Sequence, residues 1–124
     1  VVVKLRLTGA QIWEALENGV SQVEQNSVVF PQVSGMSFEW NPKAKVGSRI
    51  VSVDFRGRPL SKYKTYTLAT NDFLAKGGDG YSVFKKGKVI IDAYGAKLMA
   101  SMVMDYIKAK GNVSAKVEGR IVAN

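Results

Sequence analysis

The 124-residue sequence contains no cysteine and no histidine. Without cysteine there is no disulfide framework and no thiolate metal site. Without histidine there is no Ser-His-Asp triad and no histidine-ligated metal centre within the chain. The lack of cysteine leaves the compartment open, an oxidising one included. Acidic residues are scarce too, with 10 Asp and Glu against 18 Lys and Arg. Two carboxylates could in principle carry out acid–base chemistry. The ten acids, however, are scattered or adjacent to bases, and no pair is spaced to converge on one point. No apolar run approaches the ~20 residues of a membrane span.

What is present describes an ordinary globular domain, 46% hydrophobic and 23% charged. The length fits one domain, and folding would withdraw roughly two-thirds of its surface from water. The net charge of +8 suits anionic partners: nucleotides, nucleic acid, cell-wall polymers or acidic lipid. It equally suits a solvated basic surface with no partner. The opening Val1-Val2-Val3-Lys4-Leu5-Arg6-Leu7 reads directly as a strand with no leader. That is expected of a domain cut from a longer chain or a processed product.

Alternating apolar and basic residues make 1–7 a half-buried strand. Thr8 and Gln11 form a T-x-x-Q capping box, predicting a helix over about 9–25. Ile12, Leu16, Val20 and Val23 fall on one face, while Glu14, Glu17 and Gln25 face water. Gly19 inside this helix marks a place of close packing. Residues 36–40, 49–55, 63–70, 89–91 and 117–122 are predicted strands, with turns at Ser34-Gly35 and Arg56-Gly57-Arg58-Pro59. A second helix is predicted over 94–109, with Leu98, Met99, Met102, Val103 and Tyr106 at helical spacing and Gly111 as its stop. Its methionines read as gap-fillers rather than a cofactor site. Helices do not alternate regularly with strands, so the class is α+β, a mixed sheet with two main helices.

The stretch from Asn71 to Tyr81 concentrates the chemistry. Phe73 stands six residues before Asp79, which is flanked by Gly77, Gly78 and Gly80. Consecutive glycines permit positive φ and close approach of a ligand. Asp79 could accept two hydrogen bonds from a ribose diol, each worth about 1.5–3 kcal/mol. Phe73 could stack on a base for about 1–3 kcal/mol. The same residues also make a plain turn with Phe73 in the core. Two acids, Asp72 and Asp79, are too few for calcium. Gly77-Gly78-Asp79-Gly80 is too compact for a dinucleotide fingerprint. Basic residues at 43, 45, 49, 56, 58, 62, 64, 85, 86 and 88, with Tyr63, Tyr66 and Tyr81 nearby, keep a second reading open. That reading is a basic interaction module for RNA or anionic wall polymer with no small-molecule pocket. A solvated rim explains the basic residues as well, since they share no evident single face.

Thr8 to Glu17, Pro31-Gln32-Val33-Ser34-Gly35 and Asn71 to Tyr81 together resemble the C-terminal domain of the 5′-nucleotidases. The likeness runs through Val117-Glu118-Gly119-Arg120-Ile121, nearly the whole chain. It implies a substrate-binding domain whose partner is an N-terminal metallophosphoesterase domain holding two divalent metals. A hinge rotation carries the substrate to those metals. By this resemblance Phe73 stacks on the base and Asp79 binds the ribose hydroxyls. Gly78 belongs to the same loop, and Gly35 lies near the base edge. A second stacking aromatic and the phosphate ligands belong upstream, so the chain carries half a clamp. It is expected to hold no catalytic residue, metal or cofactor of its own and to hydrolyse nothing alone. A nucleoside or nucleotide is the expected ligand, and nucleic acid is disfavoured. The family's enzymes act on nucleotides outside the cytoplasm, in the periplasm, at the cell surface or secreted.

Overall fold

Val3, Leu5 and Leu7 are buried while Lys4 and Arg6 between them are exposed, so the first strand, β1 (Val2–Thr8), has one wet and one dry face. The computed structural model describes residues 1–25, 28–91, 98–112 and 114–124. Helix α1 (Gly9–Gly19) starts with the predicted capping box. The Thr8 side chain accepts from the Gln11 amide at 3.2 Å, and the Gln11 side chain accepts from the Thr8 amide at 2.9 Å. Then follow β2 (Met36–Trp40), β3 (Ile50–Phe55), the short β4 (Arg58–Pro59) and β5 (Thr65–Asn71). One helical turn, α2 (Asp72–Ala75), precedes 3-10 turns at Gly78–Gly80 and Ser82–Lys86. β6 (Lys88–Ile91), α3 (Met99–Lys110) and β7 (Ile121–Ala123) complete the order.

The strands form two sheets, giving the α+β class. One has the order β5-β1-β6, with β1 antiparallel to both neighbours. The other has the order β4-β3-β2-β7, with β7 parallel to β2. The apolar face of α1, with Ile12, Ala15 and Leu16, packs on β1, β3 and the 82–86 turn. Phe38, Trp40, Ile50 and Val53 bring the second sheet into the same core.

Several expectations need correction. The first helix stops at Gly19 rather than Gln25. The Ser21 amide and hydroxyl both donate to the Asn18 carbonyl, which tightens the chain out of the α-helical repeat. Only a 3-10 turn at Val23–Gln25 follows. Gly19 does mark close packing: an added Cβ would lie 2.6 Å from Pro31 Cδ and 2.8 Å from Tyr81 Oη. Glu17 does not simply face water, because its carboxylate accepts from the amides of Arg49 and Ile50.

Arg49 leaves the basic rim altogether and is only 4% exposed. Its guanidinium donates to the carbonyls of Val20 and Ala44 and forks onto Glu24. That fork holds the Glu24 carboxyl at about 2, well below its usual range.

α3 spans Met99–Lys110 and ends at Gly111 with φ 79°. The predicted start at 94–97 lies outside the described residues. Its apolar residues, Met99, Met102, Val103 and Tyr106 among them, are exposed rather than filling gaps, since no described element covers them. β7 is shorter than the predicted 117–122, and Val117 is exposed.

Candidate functional site

β5 delivers the chain to the site. Its last residue, Asn71, pairs with Val2 of β1, and the next amide, Asp72, donates to the Val1 carbonyl at 3.0 Å. Asn71 caps α2, its Oδ1 accepting from the Leu74 amide at 2.8 Å. This turn sets Phe73 on the surface, where the residue is 58% exposed, contrary to a core assignment.

The chain then reverses through a run of left-handed residues. Gly77 has φ 93°, Asp79 φ 54° and Gly80 φ 81°. Two of these are glycine, for which the region carries no penalty. Gly78 serves differently, because the Phe73 ring lies against it. A Cβ there would meet three ring carbons at 2.6–2.7 Å. The Lys85 stem packs on Gly77 in the same way, at 3.3 Å from a built Cβ.

Phe73 and Asp79 share one groove of about 320 Å³, whose walls include Phe30, Met36, Asn71 and Tyr81. Gly35, with φ 80° at an open turn, lines the adjoining cavity of about 360 Å³ instead. The two cavities share Ile12, Gln32, Val33, Met36, Leu68 and Ala69. The loop thus brings Phe73, Gly78 and Asp79 together, and Gly35 stands next door. A larger opening of about 720 Å³ lies across Phe30 and Trp40, under residues 115–121. Its outer wall is exposed chain, and its Glu118 and Arg120 pair with each other at 2.9 Å. The smaller groove is therefore the candidate site, since it is lined by both Phe73 and Asp79.

Tyr81 anchors the loop. It is buried, donates its hydroxyl to the Val29 carbonyl at 2.7 Å and stacks on Phe84 with ring centroids 5.2 Å apart. Burial, with the Asp79 carboxylate adding to it, pushes the phenol up to about 12. The folded value lies above the unfolded one, so this stabilisation is full below pH 10 and is lost as pH rises from 10 through about 12. Denaturant unfolding at about pH 9 and about pH 11.5 is expected to show a smaller loss in Tyr81→Phe than in the unaltered chain. Equal losses would remove Tyr81 as the source.

Sequence reasoning missed the Asn71 cap and the part played by Asn18, whose Nδ2 donates to the Asp79 carbonyl at 3.1 Å. An Asn directly before a helical turn is a local signal that was there to find. The Asn18 contact spans 61 positions and has no local signal.

Among the described residues no group of three or more carboxylates could hold a metal ion. No described helix is long and apolar enough to cross a membrane.

The structure is an α+β domain with an exposed aromatic residue and a loop aspartate on one groove. Residues 1–86 match the family of the 5′-nucleotidase C-terminal domain, and the chain belongs to that family. It is 40% identical over 121 residues to the trifunctional nucleotide phosphoesterase protein YfkN of Bacillus subtilis, covering 93% of this chain and 8% of that protein. It is 36% identical over 126 residues to a snake venom 5′-nucleotidase of Gloydius brevicauda, covering 95% of this chain and 21% of that protein. The crystal structure of the 5′-nucleotidase precursor from Thermus thermophilus superposes with a TM-score of 0.91 at 38% identity, over 98% of this chain and 25% of that one. The chain thus spans a quarter or less of these relatives.

Proposed function

We propose that this chain recognises the nucleoside end of a substrate for a nucleotide phosphohydrolase. The observation that carries the reading is the convergence of Phe73 and Asp79 on one groove. A heterocycle laid on the open face of Phe73 gains about 1–3 kcal/mol by stacking. A ribose diol gives two donors to the Asp79 carboxylate, which accepts without needing a proton of its own. Gly78 supports the ring from below, and the Gly35 turn borders the base edge from the adjoining cavity. Family membership and the likeness to a bacterial trifunctional nucleotide phosphoesterase support the same reading.

The chain's contribution to the reaction is orientation. Misplacing a reacting group by ~1 Å can cost about a hundredfold in rate. Hydrolysis belongs to a partner domain of the same longer protein, a metallophosphoesterase with two divalent metals, for which the remaining three-quarters of the relatives' length leaves ample room. The venom 5′-nucleotidase and the 5′-nucleotidase precursor among the relatives support an extracytoplasmic location for the whole protein.

An NMR titration of this chain with adenosine tests the reading. Shifts concentrated on residues 71–81, with the Phe73 ring among them, are expected. Salt-sensitive binding of RNA or another polyanion, with no response at Phe73, would transfer the case to a basic interaction module.

A further inference from the structure

We propose that Asn18 is a positioning residue for the nucleoside site, holding the backbone of Asp79 in the left-handed conformation that aims its carboxylate into the groove. The inference rests on the role given to Asp79 above. Asp79 has φ 54° and ψ 30°. That region is costly for a residue with a Cβ, less so for Asp than for most, so a contact that holds it there favours this conformation over the right-handed one. Were Asp79 to relax to right-handed values, its Cβ would swing away and the carboxylate with it.

Two features of α1 supply the hold. Asn18 Nδ2 donates to the Asp79 carbonyl at 3.1 Å, which fixes the peptide plane on the C-terminal side of Asp79. Asn18 Oδ1 sits where a side chain on the next residue would go, 2.6 Å from a Cβ built on Gly80. Gly80, at φ 81°, has none. The amide therefore meets one peptide unit at two points, the Asp79 carbonyl and the Gly80 Cα.

The clasp itself stands on firm ground. The Asn18 carbonyl accepts from the Val20 and Ser21 amides and, at 2.6 Å, from the Ser21 hydroxyl. The neighbouring Gly19 admits the Tyr81 hydroxyl, so the end of α1 and the end of the loop are packed together on both sides of the contact. Asn18 touches no ligand in this scheme. It acts on substrate only through Asp79.

The test uses this chain with Asn18→Ala and Asn18→Asp, the second keeping the shape and removing the donor. The three-bond amide–Hα coupling and Cβ shift of Asp79 report its φ without any ligand. Both variants are expected to lose the left-handed signature at Asp79, with faster amide exchange over 79–81 and unchanged exchange in β1. The preference for adenosine over 2′,3′-dideoxyadenosine is expected to fall about tenfold, the worth of one bond to a charged group. A loss of general stability alone would weaken both nucleosides together and leave that ratio in place. If Asp79→Ala abolishes the ratio while the Asn18 variants keep both the ratio and the Asp79 coupling, the positioning role is wrong. If Asp79→Ala leaves the ratio unchanged, the nucleoside reading itself fails and the inference falls with it.

Discussion

Asp79→Ala, placed in a full-length enzyme that carries this domain, is expected to raise KM for ribonucleotides roughly ten- to a hundredfold. KM for 2′,3′-dideoxynucleotides should stay within about twofold, since neither donor is there to lose. The expectation follows from the charge state of the acceptor. A hydrogen bond to a carboxylate is worth about 1.5–3 kcal/mol, about twice a neutral one. The left-handed turn at Gly77, Asp79 and Gly80 sets Asp79 in the wall of the groove that Phe73 also lines. Binding lost equally from ground and transition states appears in KM. Any fall in kcat measures how far the freed ribose lets the reacting end drift. An equal effect on both nucleotide classes would sink the diol contact.

Gly9→Val is expected to lower stability by roughly 3 kcal/mol, at the upper end of what overpacking costs. That corresponds to a melting temperature about 10 °C lower for a chain of this size. Helix propensity alone argues the other way, because valine is a better helix residue than glycine by a few tenths of a kcal/mol. Sterics decide. A Cβ on Gly9 would fall on the Ser61 carbonyl oxygen and within 3.0 Å of Lys62 Cα. Both are main-chain atoms, and the segment cannot step aside: the amides of Gly9 and Ala10 donate to the carbonyls of Lys64 and Lys62. Gly57→Ala makes the control. That glycine has φ 79° and open space around it, so only the left-handed penalty of about 1–2 kcal/mol applies. Thermal melts of the two variants side by side should rank them in that order. A Gly9→Val chain as stable as the unaltered one would mean that the 61–64 segment does not sit on the start of α1.

Features with local causes were readable before the fold was known. The Thr8–Gln11 capping box and the alternation of Val3, Leu5 and Leu7 are written within a few residues of the structures they make. So is the loop at 77–80, whose glycines announce positive φ. What escaped depends on distant partners. Glu17 and Arg49 look like surface charges until strand β3 is brought beside α1, where one caps two amides and the other is buried against Val20 and Glu24. The end of α1 was placed six residues too far because Val23 continues the apolar spacing, while Ser21 and the Pro31 contact at Gly19 stop the helix. That Phe73 and Asp79 line one groove was legible because they stand only six positions apart across a glycine turn. Asn18 was not, because its amide reaches the loop only after β1 and β5 have paired.

That β1–β5 pairing has a consequence for synthesis. Leu5 is matched with Leu68, and its other neighbour, β6, lies later still. A growing chain therefore presents Val3, Leu5 and Leu7 on an unpaired strand until residues 65–71 have left the ribosome. At about 5–20 residues per second that wait lasts several seconds. An apolar strand with open edges is at that stage a template for the wrong partner. Lys4 and Arg6, alternating with the buried residues, put two positive charges on that strand, and like charge on an open strand disfavours pairing between copies.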